Sequence, residues 1–261
     1  MPVETMSNET STEMSFLDHV EELRWRIIRS LVALFVATLL CLAFYRRILD
    51  LLILPINRLD SPMHLQVLKV QGMFVVTLEV AFFGGLILSL PYILYQFWKF
   101  IAPGLLESER RYFPKLIGSS TLLFLLGVLF AYFLVLPFAL NFFIGLAPPE
   151  IAANIAIDFY IGFTIRLLVI FGLIFEMPVI TYFLSRLGLL TPKRMRHYRR
   201  HAVVAIFIVA AILTPPDVIT QIMLAIPLIL LYELSILVSA AVEKQARKRI
   251  EAQAGVESTA D

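Results

Sequence analysis

Two short charged stretches and one isolated acid hold the residues best suited to chemistry in this chain. The first stretch, residues 16–26, reads Phe-Leu-Asp-His-Val-Glu-Glu-Leu-Arg-Trp-Arg, with acids before bases. As a helix it sets Asp18, Glu22 and Arg26 on one stripe, four residues apart, in the order that suits the helix macrodipole. The second stretch, residues 98–111, carries Lys99, Glu107, Glu109, Arg110 and Arg111. Glu22, Glu107 and Glu109 gathered at one membrane surface would receive guanidinium groups bidentately, which a lysine ammonium cannot match. The same residues also read as an interfacial helix whose Arg24, Arg26 and Arg29 anchor a span, with Glu109 paired to Arg110, Arg111 or Arg24. Both readings stand on these residues alone.

Glu176 lies within an apolar run, where an ionised side chain costs at least ~2.5–3.5 kcal/mol. It is protonated and bonded to a neighbouring helix, or lines a wet cavity, or meets a polar group of a partner helix. Pro178, two residues on, frees backbone carbonyls and favours a groove or cavity. Glu79 and Glu233 fall nearer span ends and can snorkel; Gln96 and Gln221 are marginal in the same way. Tyr92, Tyr95, Trp98 and Phe100 form an aromatic patch, read either as an interfacial belt or as a bed for an extended apolar ligand. The sequence offers no phosphate cradle, metal-ligand spacing, nucleophile elbow or catalytic triad, so no enzyme activity, metal or cofactor is expected. One cysteine, Cys41, excludes a disulfide framework.

Long apolar runs position these groups. The 261-residue chain is 59% hydrophobic and 16% charged, where a soluble domain is roughly half apolar and a quarter charged. Its mean hydropathy is +0.84. Six spans are expected, at about residues 27–44, 74–97, 116–136, 163–184, 202–213 and 220–238, the fifth and sixth short. Pro91 should kink the second span, and Pro137 should end the third. Between the first two lies a mixed segment, residues 46–72, read as interfacial helix plus loop. Seventeen of the 22 Lys and Arg residues fall on the side of the termini, which places both termini in the cytoplasm. Residues 1–15 read as a disordered tail with no signal-peptide pattern, residues 16–242 as the membrane domain, and 243–261 as a fraying cytoplasmic tail. No internal repeat is visible, which argues against inverted-repeat transporters. A proton-coupled transporter or channel using Glu176 remains the alternative.

Four segments carry a family resemblance. Residues 16–26 resemble the N-terminal signature of the TatC family, the receptor subunit of the twin-arginine protein translocase. Pro91-Tyr92, residues 95–105 and Glu109-Arg110-Arg111 are similar to its first cytoplasmic loop, and residues 171–179 to its fourth span. Thr214-Pro215-Pro216-Asp217-Val218, with Gln221 and Ala225-Ile226-Pro227, resembles its last extracytoplasmic turn. Gly104 stands where alanine also occurs in the family, a small departure. The resemblance implies an all-α fold of six kinked helices around a concave face. It implies binding of paired-arginine signal peptides, and export of folded proteins driven by the protonmotive force. The implied partners are TatA- and TatB-type single-span subunits, the lipid bilayer and further copies of the chain, with no nucleic acid. The implied location is a bacterial or archaeal plasma (inner) membrane. By position, Glu22 and Glu109 match the acids that receive the arginines, and Phe100, Pro103, His19, Arg24 and Arg26 match the surrounding surface. Glu176 and Gln221 match intramembrane polar positions, and Pro55 and Asp217 match the extracytoplasmic cap.

Overall fold

The computed structural model describes residues 16–58, 64–101, 113–146, 154–213 and 218–257. The expected tail 1–15, Pro103, Glu107, Glu109 and Asp217 lie outside the described residues. The chain is helical nearly throughout, as hydrophobic runs in lipid require: backbone polar groups there must bond within their own segment.

Helix α1 (Phe16–Ala43) joins the charged stretch and the first apolar run into one unbroken helix. Then come α2 (Tyr45–Asn57), a short strand β1 (His64–Gln66) and the long α3 (Gly72–Ile101), which continues through Pro91. The third run is α4 (Phe113–Phe130), a π-helical turn (Ala131–Val135) and α5 (Leu136–Gly145). Pro137 therefore does not end the span. The π turn shifts the hydrogen-bond register, and the proline opens the next helical segment, where its missing N–H costs nothing. Strand β2 (Asn154–Ala156) leads into α6 (Ile157–Phe175) and α7 (Met177–Arg186), separated only by Glu176. The short α8 (Pro192–His197), α9 (Arg199–Leu213) and α10 (Val218–Glu257) complete the chain. The tail does not fray at Glu243 but stays helical to Glu257.

Among the described residues five segments are long and apolar enough to cross a membrane: His19–Ala43, Gly72–Ile101, Pro114–Gly145, Ile157–Arg186 and Val218–Lys248. The expected fifth span, α9, has 15 residues and falls short of the ~20 needed for hydrocarbon ~30 Å thick, but the sixth, expected to be short too, is part of the 40-residue α10 and is long enough to cross. Half of the α6–α7 span is buried against 11% of the α1 span, so α6 is the central post and α1 is peripheral. Val76 and Val80 of α3, Leu167, Leu168 and Phe171 of α6 and Leu228 of α10 make the dry centre.

Glycines let helices approach where side chains would hold them apart. A Cβ on Gly85 would lie 2.6 Å from the Thr38 backbone N, so α1 and α3 meet backbone to backbone. A Cβ on Gly127 would lie 2.6 Å from the Phe171 carbonyl, which fixes α4 against α6 in the same way.

One end of the bundle is closed by a cap built on α2. Pro55 has no N–H, so the Leu51 carbonyl four residues earlier loses its helical donor. The Tyr132 hydroxyl donates to that carbonyl at 2.6 Å, and the Tyr160 hydroxyl donates to the next one, Leu52, at 2.7 Å. The proline thus opens the Leu51 carbonyl for Tyr132, and Tyr160 adds a second tie at the neighbouring Leu52 carbonyl to hold α2 down. Parallel pairing of β1 with β2 (Leu65 opposite Ile155) and a Lys69–Asp158 ion pair at 3.0 Å tie the flanking loops together. Tyr160→Phe would leave the buried Leu52 contact empty, and should cost about 1–3 kcal/mol in thermal unfolding of the purified protein. Tyr132→Phe, at a more exposed bond, should cost less.

Candidate functional site

The end opposite the cap brings the start of α1 to the end of α3. There the His19 ring stacks on Phe100, with centroids 4.4 Å apart and planes inclined by 20°. His19, Glu22 and Arg26 share one face of α1, as their spacing of three and four residues requires. His19 Nδ1 lies 4.0 Å from Glu22 Oε2. Arg26 donates Nε at 3.1 Å, and also Nη2, to the other oxygen, Glu22 Oε1. Glu22 Oε2 is buried and has no hydrogen-bond partner among the described residues. Arg26 is itself buried, whereas Arg24 and Arg29 are exposed.

Four of the sequence-predicted surface residues are therefore assembled or adjacent: His19, Glu22, Arg26 and Phe100. Arg24 lies on an exposed face of the same helix turn. The result is a carboxylate with one oxygen taken by an internal guanidinium and one without a hydrogen bond, 4.0 Å from the His19 ring that stacks on Phe100. Its chemistry is that of a cation acceptor, and guanidinium suits it best.

The aromatic patch does not behave as one belt. Tyr92 is exposed, but Trp98 is 2% exposed and turned inward onto Val179 and Phe183, its ring 5.0 Å from that of Phe183. The Trp98 indole N–H donates to Ser120 Oγ at 3.1 Å, a partner that a buried indole needs. Ser120 in turn lies beside the Glu176 carboxyl. Glu176, 6% exposed, occupies the break between α6 and α7; its N–H bonds Leu173 and its carbonyl accepts from Val179 and Ile180. Pro178 starts α7, so the break follows from Glu176-Met177-Pro178 as the sequence indicates. A polar file, Trp98–Ser120–Glu176, thus crosses three helices, and Glu176 Oε1 has no hydrogen-bond partner among the described residues. Sequence reasoning found Glu176 and missed Ser120, although a small hydroxyl within an apolar run was visible.

Gln221 is used locally: its side-chain amide donates to the Phe207 carbonyl at 3.0 Å and joins α10 to α9. Pro55 acts through Leu51, as described above. Glu233 pairs with Arg199 at 2.6 Å. Tyr132 and Tyr160 were not anticipated; Pro55 inside an amphipathic helix was the signal, since it demands an outside donor for Leu51. Among the described residues no cluster of His, Cys, Asp and Glu could hold a metal ion.

A mostly helical bundle with at least five segments long and apolar enough to cross a membrane, tied by a cap at one end, is a multi-pass membrane protein. Residues 18–227 match the family of the Sec-independent protein translocase protein (TatC), and the chain belongs to that family. It is 40% identical to the TatC protein of Aquifex aeolicus over 225 residues, covering 85% of this chain and 93% of that one. It is 38% identical to the TatC protein of Listeria innocua, covering 88% and 93%. A crystal structure described as the twin arginine translocase receptor TatC superposes with a TM-score of 0.80 at 38% identity, covering 86% of this chain and 99% of that one. Membership makes this chain a protein-translocase component and not an enzyme.

Proposed function

We propose that this chain is the receptor and core subunit of a twin-arginine translocase. It binds paired-arginine signal peptides at the cytoplasmic face and supports export of folded proteins driven by the protonmotive force. Glu22 and Glu109 each take one arginine; His19, Phe100, Pro103, Arg24 and Arg26 complete the surface. Glu176 and Gln221 serve the contacts with TatA- and TatB-type single-span subunits, and Pro55 and Asp217 serve the extracytoplasmic cap. Further copies of the chain associate in the complex. In this reading α9 is a sixth, short span, both termini are cytoplasmic, and the membrane is a bacterial or archaeal plasma membrane.

The observation that carries the reading is the Glu22 carboxylate, with one oxygen lacking a hydrogen bond beside the His19–Phe100 stack. The solved relatives' description as twin-arginine translocase receptors supports it. The test is binding of a labelled Arg-Arg signal peptide to the detergent-solubilised chain, against its Lys-Lys twin. A preference of about tenfold or more for arginine is expected, since only guanidinium pairs with a carboxylate through two N–H groups. Equal binding of the two peptides would refute the reading.

Glu176 separates from this site. Glu176→Ala should leave peptide affinity within about twofold, because the acid lies in the polar file with Ser120 and not beside Glu22. It should impair export of a twin-arginine reporter when partner subunits are present. Full export by that variant would remove Glu176 from the mechanism.

A further inference from the structure

The acceptor Glu22 is not empty. Both Arg26 donors, Nε and Nη2, fall on Oε1, and Oε2 is left buried without a hydrogen-bond partner among the described residues, with His19 Nδ1 4.0 Å away. A fully matched guanidinium–carboxylate pair sets one N–H on each oxygen. The Arg26–Glu22 pair is therefore incomplete, held by the fixed four-residue spacing on one helix. Arg26 is also the buried arginine of α1, so its head group is committed to this contact and not dissolved in solvent like those of Arg24 and Arg29.

We propose that Arg26 is a resident competitor for Glu22, which an incoming signal-peptide arginine must displace; this rests on the reading of Glu22 as an arginine acceptor. The contact is an internal stand-in for the peptide. It keeps a half-buried carboxylate compensated while the site waits, since an acid left unpaired there would be costly. It also raises the threshold for occupancy. Once Arg26 has left and the carboxylate has turned outward, an arriving guanidinium can engage both oxygens, whereas Arg26 sets two donors on one. An arriving ammonium is a point donor without that advantage and displaces Arg26 poorly. Arginine selectivity then comes partly from what must be evicted, and not only from what is gained on binding. The apparent affinity for every ligand is lowered by the fraction of molecules in which Arg26 holds the acid.

The experiment measures Arg-Arg and Lys-Lys signal-peptide affinities for the full chain in detergent as wild type, Arg26→Gln, Arg26→Lys and Glu22→Gln, with thermal unfolding of each. Arg26→Gln should bind the Arg-Arg peptide about tenfold more tightly and gain more for the Lys-Lys peptide, so the preference narrows. Arg26→Lys should fall between that variant and wild type, and it stands in if Arg26→Gln does not fold. Unchanged or weaker Arg-Arg binding in the folded Arg26 variants, with Glu22→Gln impaired, would overturn the proposal and show that Arg26 acts in the recognition surface without competing for Glu22. Wild-type binding by Glu22→Gln would instead overturn the acceptor reading beneath it.

Discussion

Gly85→Leu is expected to detach α1 from α3 and to abolish signal-peptide binding with it. The Cβ of any side chain at this position would meet the Thr38 backbone, at 2.6 Å from N and 2.7 Å from Cα, as well as the Thr38 hydroxyl. Backbone cannot swing aside as a flexible side chain can, so the helices must separate. Overpacking of a well-fitted contact costs typically ~1–3 kcal/mol, and a leucine wedged between two backbones should exceed that range. Helix α1 has little else to hold it, being mostly exposed along its length, and α3 is its main neighbour. Its N-terminal turn carries Glu22 and the His19 ring that stacks on Phe100 of α3. Separation at Gly85 would therefore misplace the acceptor about four helical turns away. Peptide binding and thermal unfolding of the purified variant check this. Gly118→Leu is the control, since a Cβ there meets nothing within 4 Å. Binding retained by Gly85→Leu would mean that α1 is positioned by something other than this approach.

Glu22→Ala carries the second large effect: loss of Arg-Arg peptide binding by about a hundredfold or more. Removing one partner of a desolvated charge pair costs about 2–5 kcal/mol, most of it from the charge left behind. The peptide arginine would then face Arg26, a like charge with no acid between them. Glu22→Ala also strands the buried Arg26 guanidinium, so some loss of thermal stability accompanies the loss of binding. Glu22→Gln keeps the shape and an acceptor oxygen, and separates the two effects. Affinity unchanged in both variants would place the arginine pair elsewhere.

The first charged stretch and Glu176 were legible in the sequence because each breaks a rule that apolar runs otherwise keep. Acid-then-base spacing predicts a helix, and the Glu22–Arg26 contact follows from that spacing alone. A glutamate inside an apolar run next to Pro178 predicts a buried acid at a helix break, which is what α6 and α7 show. Trp98 was misread as part of an interfacial belt, because its position at the end of a span fits a belt as well as a core. Only the neighbouring Ser120 and Phe183 decide, and they come from other helices. The end of the third span was misread for a related reason. Proline usually stops a helix, but the π turn before Pro137 gives it a helical first-turn position. The tyrosine ties to Leu51 and Leu52 join residues 81 and 108 positions apart, beyond any local pattern. Pro55 told that an acceptor would be free, not which donor would find it. Glu109, Pro103 and Asp217 rest on resemblance alone, outside the described residues.

The claim at the centre is that the Glu22 carboxylate receives one guanidinium of the arginine pair. The direct measurement is a double-mutant cycle: affinities of Arg-Arg, Lys-Arg, Arg-Lys and Lys-Lys signal peptides for wild type and Glu22→Gln. One peptide position, and not the other, should couple to Glu22 by about 1.5–3 kcal/mol, roughly ten- to a hundredfold. Additive effects at both positions, with no coupling to Glu22 at either, would contradict it.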